Sequence, residues 1–300
     1  MGDTSVSVSQ VQQELNQLLA TQPAVKQAQQ QGKLDQTARS IVTTHVRHDL
    51  VTRVAAQSRL SVTDQQVDQV ISQAGGAGKL APALGTAQNN VRAAVKDLLL
   101  EVEYARKYAD SLSVTAGYVE ATTRADAVAK AQRLAADPNS LPAVVAAANK
   151  NAAQGQAAGA VDTQFTVQGF LVQVQQAQQQ AQQQGQQAPP VNEGPLFGTP
   201  VNSVVIFQIA PQEEPTWVVA LIKSRDTNSK SALPTGVSAA DQSDLGTLQQ
   251  IGLSLMQAES ARAGVRISPR YGVWDPVDMQ VTPGDDQSLG QVFPVKHKLS

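Results

Sequence analysis

Apolar residues recur along the first third of the chain at helical spacing. Val8, Val11, Leu15, Leu18 and Leu19 form one stripe and predict a helix up to about residue 21. Its start is marked by Ser7-Val8-Ser9-Gln10, a capping box. Ser7 can accept from the backbone of Gln10, and the Gln10 side chain can reach back. Pro23 stops the run, residues 3–6 are expected as a short strand, and residues 27–32 read as a polar, Gln-rich link. Val42, Val46, Leu50 and Val54 then recur every four residues, widened by Ile41 and Val51, and predict a long helix over 36–60. A second capping box, Thr63-Asp64-Gln65-Gln66, opens a short helix carrying Val67, Val70 and Ile71. It ends at Gly75-Gly76, and a Gly/Pro loop is expected through Gly85. Val91, Val95, Leu98, Leu99, Val102 and Ala105 predict a further helix over 86–110. Four helices in this stretch define a helical domain.

The period changes after Asp110. Residues 114–122 alternate as a half-buried strand does. Alanine-rich helices are expected over 125–136, stopped by Asp137-Pro138, and over 141–150, followed by an Asn/Gly/Ala/Gln loop. Residues 169–187 are nearly all Gln and Ala. Phe170, Leu171, Val174, Ala177 and Ala181 suit one narrow helical face, with mobility expected toward Gln187. Residues 204–209 and 217–222 read as strands, joined by a turn over 211–215. Strand, two helices, loop and two strands describe a small α+β domain. A polar linker follows. Leu245, Leu248, Ile251, Leu255, Met256 and Ala258 then make a last amphipathic helix ending at Gly264.

The closing stretch 264–276 alternates Val265 and Ile267 with Arg266 and Ser268, and Pro269, Gly272 and Pro276 punctuate it. No strand pattern lies close before it, so its partner is expected far away in sequence. It is read as a return to the N-terminal helices, with Tyr271 and Trp274 closing the domain opened there.

Composition removes several chemistries. Net charge is -2 over 300 residues, which gives no electrostatic case for nucleic acid. Cysteine is absent, which excludes disulfides, thiol catalysis and cysteine-type zinc sites. No apolar run reaches the length of a membrane span. His45 and His48 sit three apart on the long helix and read as a surface pair; with His297 they make no ordinary zinc site unaided. There is no nucleophile elbow, phosphate loop or dinucleotide fingerprint. Gly75-Gly76-Ala77-Gly78 ends a helix, and Asp285/Asp286 and Glu213/Glu214 lie in turn-like sequence. No cofactor, metal or catalytic residue is expected. Met1-Gly2-Asp3 shows neither a basic n-region nor an apolar h-region. The abrupt start reads as trimmed, with a targeting segment or lipid-bearing cysteine expected upstream.

The order of segments resembles the SurA/PrsA family of extracytoplasmic chaperones. Leu60-Ser61-Val62-Thr63-Asp64-Gln65-Gln66-Val67 is similar to the family's helix-turn-helix corner. Val114-Thr115-Ala116-Gly117-Tyr118-Val119 resembles the first strand of a parvulin-type prolyl isomerase domain. Leu196-Phe197-Gly198-Thr199-Pro200-Val201 and Trp217-Val218-Val219-Ala220-Leu221-Ile222 resemble its late loop and last strand. The ending Pro269-Arg270-Tyr271-Gly272-Val273-Trp274-Asp275 resembles actinobacterial lipoproteins of the group.

The resemblance implies an α+β fold. A mainly helical core lobe (1–110 plus 240–295) would be completed by a C-terminal helix and strand. A degenerate parvulin-like domain (111–226) would be inserted in it, followed by a linker over 227–239. Parvulins carry a histidine on the first strand and another on the last. Tyr118 and Val218 stand there instead, and the Gly-rich loop survives at most as Gly155 and Gly159. The expected function is a cell-envelope chaperone that binds unfolded or secreted polypeptides without isomerase activity. Tyr118, Phe197 and Trp217 are candidate contacts, and any membrane attachment would come through a lipid anchor. The alternatives are an active prolyl isomerase and a structural envelope protein that docks a fixed partner. The Gln/Ala segment is either that docking helix or, the preferred reading, a solvated insertion.

Overall fold

A computed structural model describes residues 4–152, 157–186, 193–209, 216–234, 236–284, 288 and 290–296. The fold is α+β. The first helices are α1 (Val8–Thr21), α2 (Pro23–Gln30), α3 (Leu34–Ser58), α4 (Asp64–Gln73), α5 (Ala77–Ala83) and α6 (Val91–Tyr108). Then come β1 (Ser113–Ala121), α7 (Arg124–Ala136), α8 (Leu141–Asn151), β2 (Gly159–Thr166), α9 (Val167–Gln183), α10 (Gly194–Gly198), β3 (Ser203–Gln208) and β4 (Trp217–Asp226). The chain ends with α11 (Leu245–Leu255), α12 (Gln257–Ala263), β5 (Val273–Asp275), β6 (Gln280–Thr282) and β7 (Gly290–Pro294). Two compact units form. One comprises residues 1–104, 259–275 and 279–288, the other residues 105–258, 276–278 and 289–300.

In the helical unit both expected capping boxes are present, at Ser7 on Gln10 and at Thr63 on Gln66. Val11, Leu15 and Leu18 of α1 bury against Val25, Ala38, Ile41 and Val42. Each fully buried side chain of this size is worth about 1.5–3 kcal/mol of transfer free energy. Val8 falls outside the stripe and is exposed. Three expectations change. Residues 4–7 are not a strand. Among the described residues they pair with no strand, and Thr4 instead donates its hydroxyl to Asp49 Oδ1 at 2.7 Å. The Gln-rich link is largely helical, because Pro23 at the first position presets the helix and Val25 is buried. The loop through Gly85 contains α5, whose Ala81 packs with Val67, Val91, Val95 and Leu99.

The closing stretch is reorganised as well. Residues 265–268 form no strand. The strand is β5, and its partner is the nearby β6, with Trp274 opposite Val281, not a distant segment. Gly272 enables the hairpin. Its φ is +118°, and a Cβ there would lie 1.9 Å from Thr282 O, so only glycine fits. The return to the N-terminal helices is made by packing. Tyr271 and Val281 are buried among Val11, Leu15, Leu18, Ile41 and Val42, and Trp274 packs partly against them. Val281 N donates to Thr43 Oγ1 at 2.9 Å, and Arg47 Nε donates to Met279 O at 2.7 Å.

The second unit is built on a five-stranded antiparallel sheet in the order β2-β1-β4-β3-β7. Val119, Ala121, Val204, Ile206, Trp217, Val219 and Leu221 pack one face on α7 and α8. β2 falls where a loop is expected, and β7 where the C-terminus is expected with the helical lobe. Helix α11 also groups with this unit. The last amphipathic run breaks at Met256 into α11 and α12. Residues 227–239 do not hang free. Ser229 N donates to Ser111 O and Ala239 N to Asp110 Oδ1, tying the segment along the sheet unit. The expected turn at 211–215, with Glu213 and Glu214, lies outside the described residues, as do Gly155, Gln187, Asp285, Asp286 and His297.

Candidate functional site

β1 and β4 run side by side, with Tyr118 opposite Ala220 and Glu120 opposite Val218. Residues two apart on a strand share a face, so Tyr118 and Val218 are diagonal neighbours on one face of the sheet. The two positions where histidines are expected from the resemblance are therefore neighbours in space, but they hold a phenol and an aliphatic side chain. Among the described residues of this unit there is no histidine.

The three candidate contacts are not brought together. Trp217 lies opposite Ala121 on the face that packs on α7 and α8, and it is 4% exposed. Phe197 is fully buried, with its ring 6.2 Å from that of Phe170. Neither offers surface to a bound chain. Tyr118 does: it is half-buried on the other face and meets Phe165 of β2 edge-on at 6.0 Å. Tyr271 and Trp274 belong to the helical unit's hydrophobic cluster, where Trp274 Nε1 donates to Ser260 Oγ at 2.7 Å.

Phe165 was not singled out by its sequence context, although Val161-Asp162-Thr163-Gln164-Phe165 alternates cleanly. The strand carrying it, β2, is an edge of the sheet and pairs only with β1 among the described residues. Val167 N donates to Leu112 O, which sets the phase of the ladder. Phe165 and Thr163 therefore turn their main-chain groups toward β1, and Gln164 between them turns its N–H and C=O outward. Gln164 is exposed. At the other end of β2 the outward carbonyl of Gly159 is taken by Asn149 Nδ2 at 3.0 Å. Between the ends the register shifts at Ala116/Tyr118. There Gly117 lets the strands and α8 close up: a Cβ would come within 2.4 Å of Val161 O and 2.3 Å of Leu141 Cδ2. Asp162, beside the shift, pairs with Lys223 at 2.7 Å. The opposite edge, β7, is shorter and ends on Pro294, which blunts it.

The titratable groups are dispersed. No set of three or more His, Asp or Glu side chains is placed to hold a metal among the described residues. His45 Nε2 meets Glu14 Oε1, and His48 Nδ1 meets Asp97 Oδ2, each at 2.7 Å. The hydrogen bond to Asp97 raises the His48 pKa above its ordinary value. Burial raises the Glu193 carboxyl. Among the described residues no helix is long and apolar enough to cross a membrane.

No family model matches the sequence, and no curated protein does. Among solved structures the chain is similar to the foldase protein PrsA from Streptococcus pneumoniae. Identity is 12%, the match covers 90% of this chain and 95% of that one, and the TM-score is 0.28. Similarity at that level carries no information about activity.

Proposed function

We propose that this protein is a chaperone-like binder of extended polypeptide, acting at the open edge of β2 without prolyl isomerase activity. The observation that carries the reading is the outward N–H and C=O of Gln164 on an edge strand that pairs on one side only among the described residues, next to the half-buried Phe165–Tyr118 pair. An extended client would add to β2 as a further strand. Its main chain would supply the hydrogen bonds, and alternate apolar side chains would rest on the two rings. The small net charge suits clients of varied charge. Clients would be unfolded or secreted chains. The proposed site of action is the cell envelope, in keeping with the resemblance to extracytoplasmic chaperones, with a lipid anchor as the proposed means of attachment.

Gln164→Pro tests the reading. Proline removes an outward N–H and leaves the β1 ladder intact, since edge strands tolerate it there. The variant should fold normally and lose most of its ability to suppress aggregation of a denatured client at near-stoichiometric ratio. Full suppression by the folded variant would refute edge addition. A second reading, an active isomerase, draws on Tyr118, a hydrogen-bond donor diagonal to Val218 on the same sheet face. Proline-limited refolding accelerated by the protein, and no longer accelerated by Tyr118→Phe, would establish it.

A further inference from the structure

The helical unit contains a cleft of about 580 Å³ where the end of α1, helix α5 and the 3-10 turn Gln88–Asn90 converge. Its polar lining is Gln17, Thr21, Gln22, Gln88 and Asn89. No charged and no aromatic side chain lines it among the described residues. The carboxamides are held in place. Gln17 Nε2 donates to Asn89 Oδ1 at 3.1 Å, and Gln22 Nε2 donates to Thr86 O at 2.7 Å, with Gln22 itself 6% exposed. The remaining walls are small, with Gly78, Ala81 and Pro82 on α5.

This chemistry selects its ligand. A site without formal charge cannot repay the desolvation of an ionic group, so charged ligands are disfavoured. A carboxamide carries two donors and an acceptor in one plane, the complement of a peptide group. Sugars, the other neutral ligands rich in donors and acceptors, are usually held against a flat aromatic ring, and no ring is present. The small walls leave room for a main chain with short side chains and exclude bulky ones. The size falls within the range of ligand pockets.

We infer that this cleft is a second polypeptide site, one that reads the main chain of an uncharged, small-residue segment through its carboxamides. The inference rests on the polypeptide-binding reading but on different residues in the other unit. It gives the protein two chemically distinct grips: an edge strand with aromatic rings for apolar stretches, and an amide cleft for neutral polar stretches.

The test is an NMR titration of the full chain carrying Gln164→Pro, so that the β2 edge is blocked. The probe is a capped Ser/Ala dodecapeptide. The side-chain amide resonances of Gln17, Gln22 and Asn89 should shift. Gly78→Leu should weaken that response at least about tenfold, equivalent to about 1.4 kcal/mol. At Gly78 a Cβ would sit 3.9 Å from Gln88 Nε2, so Gly78→Ala has room and serves as the folded control that still binds. No shift at these amides, or an equal response in Gly78→Leu, overturns the inference. Shifts with maltohexaose and none with the peptide overturn it too, by making the occupant a sugar. The two sites fail separately. The Gln164 backbone amide, followed in Gly78→Leu without the proline change, reports on the β2 edge whatever the cleft does.

Discussion

Thr43→Val asks what holds the C-terminal hairpin onto the helical unit. Thr43 sits on α3 and is 9% exposed; its hydroxyl accepts from Val281 N at 2.9 Å. Val281 itself is 7% exposed. Valine keeps the shape and removes the acceptor, so the cavity term is close to nil. What remains is a buried main-chain N–H without a partner, which costs about 1–3 kcal/mol. The added methyl returns at most about 0.8 kcal/mol. A net loss of about 1–2 kcal/mol is expected. The chain has two tryptophans, Trp274 in the helical unit and Trp217 in the sheet unit, so a Trp217→Phe background makes fluorescence report on the helical unit alone. With a urea slope of about 1–3 kcal/mol/M, the midpoint should fall by roughly 0.3–2 M at unchanged slope. A midpoint unmoved in Thr43→Val would refute the argument and leave the Arg47–Met279 hydrogen bond and the packing of Tyr271 and Val281 to hold the hairpin.

Two further outcomes follow from named contacts. The folded-state pKa of His48 is raised, chiefly by the hydrogen bond to Asp97, so its contribution is fully present below the unfolded value near 6.5 and is lost as pH rises through the folded one. The urea midpoint of the helical unit should therefore fall as pH rises above the unfolded value and through the raised folded one, and Asp97→Asn should flatten that part of the profile. Gly117→Ala should destabilise the sheet unit by about 1–3 kcal/mol, because the new Cβ meets the backbone oxygen of Val161, which cannot swing aside. Near-UV circular dichroism of Tyr118 would register the shift in β1 and β2, and a wild-type spectrum and melting curve would contradict the close approach.

Local signals account for what could be read from the chain alone. A capping box is complete within four residues, and the stripes of α1, α3, α4 and α6 are set by 3.6-residue spacing, so these elements appear at or near their expected limits. β1 and β4 were legible for the same reason, with six or more consecutive residues of strand character. The candidate site was only half legible. Tyr118 is legible through its motif; Phe165 is not, because the alternation of 161–165 is short and the Gly, Ala and Gln on both sides of it read as a loop. Phe197 and Trp217 are aromatic residues that favour a core as much as a groove, and the choice between the two depends on which sheet face the helices cover.

The sequence by itself determined the helical first third, the change to α+β after Asp110 and the lack of histidines in β1 and β4. These depend on residue identity and spacing over a turn or a strand. Only the tertiary structure decided which strand is an edge, that β7 joins the sheet beside β3, and that β5 pairs with β6. Strand pairing matches main-chain groups that every residue carries, so the side-chain pattern cannot name the partner. The opening stretch of the C-terminal segment shows the difference. The chemistry of Tyr271 marks it for the core, but its seat among Val11, Ile41 and Val42 depends on a hairpin whose open end closes against Gly272 and on contacts with α3.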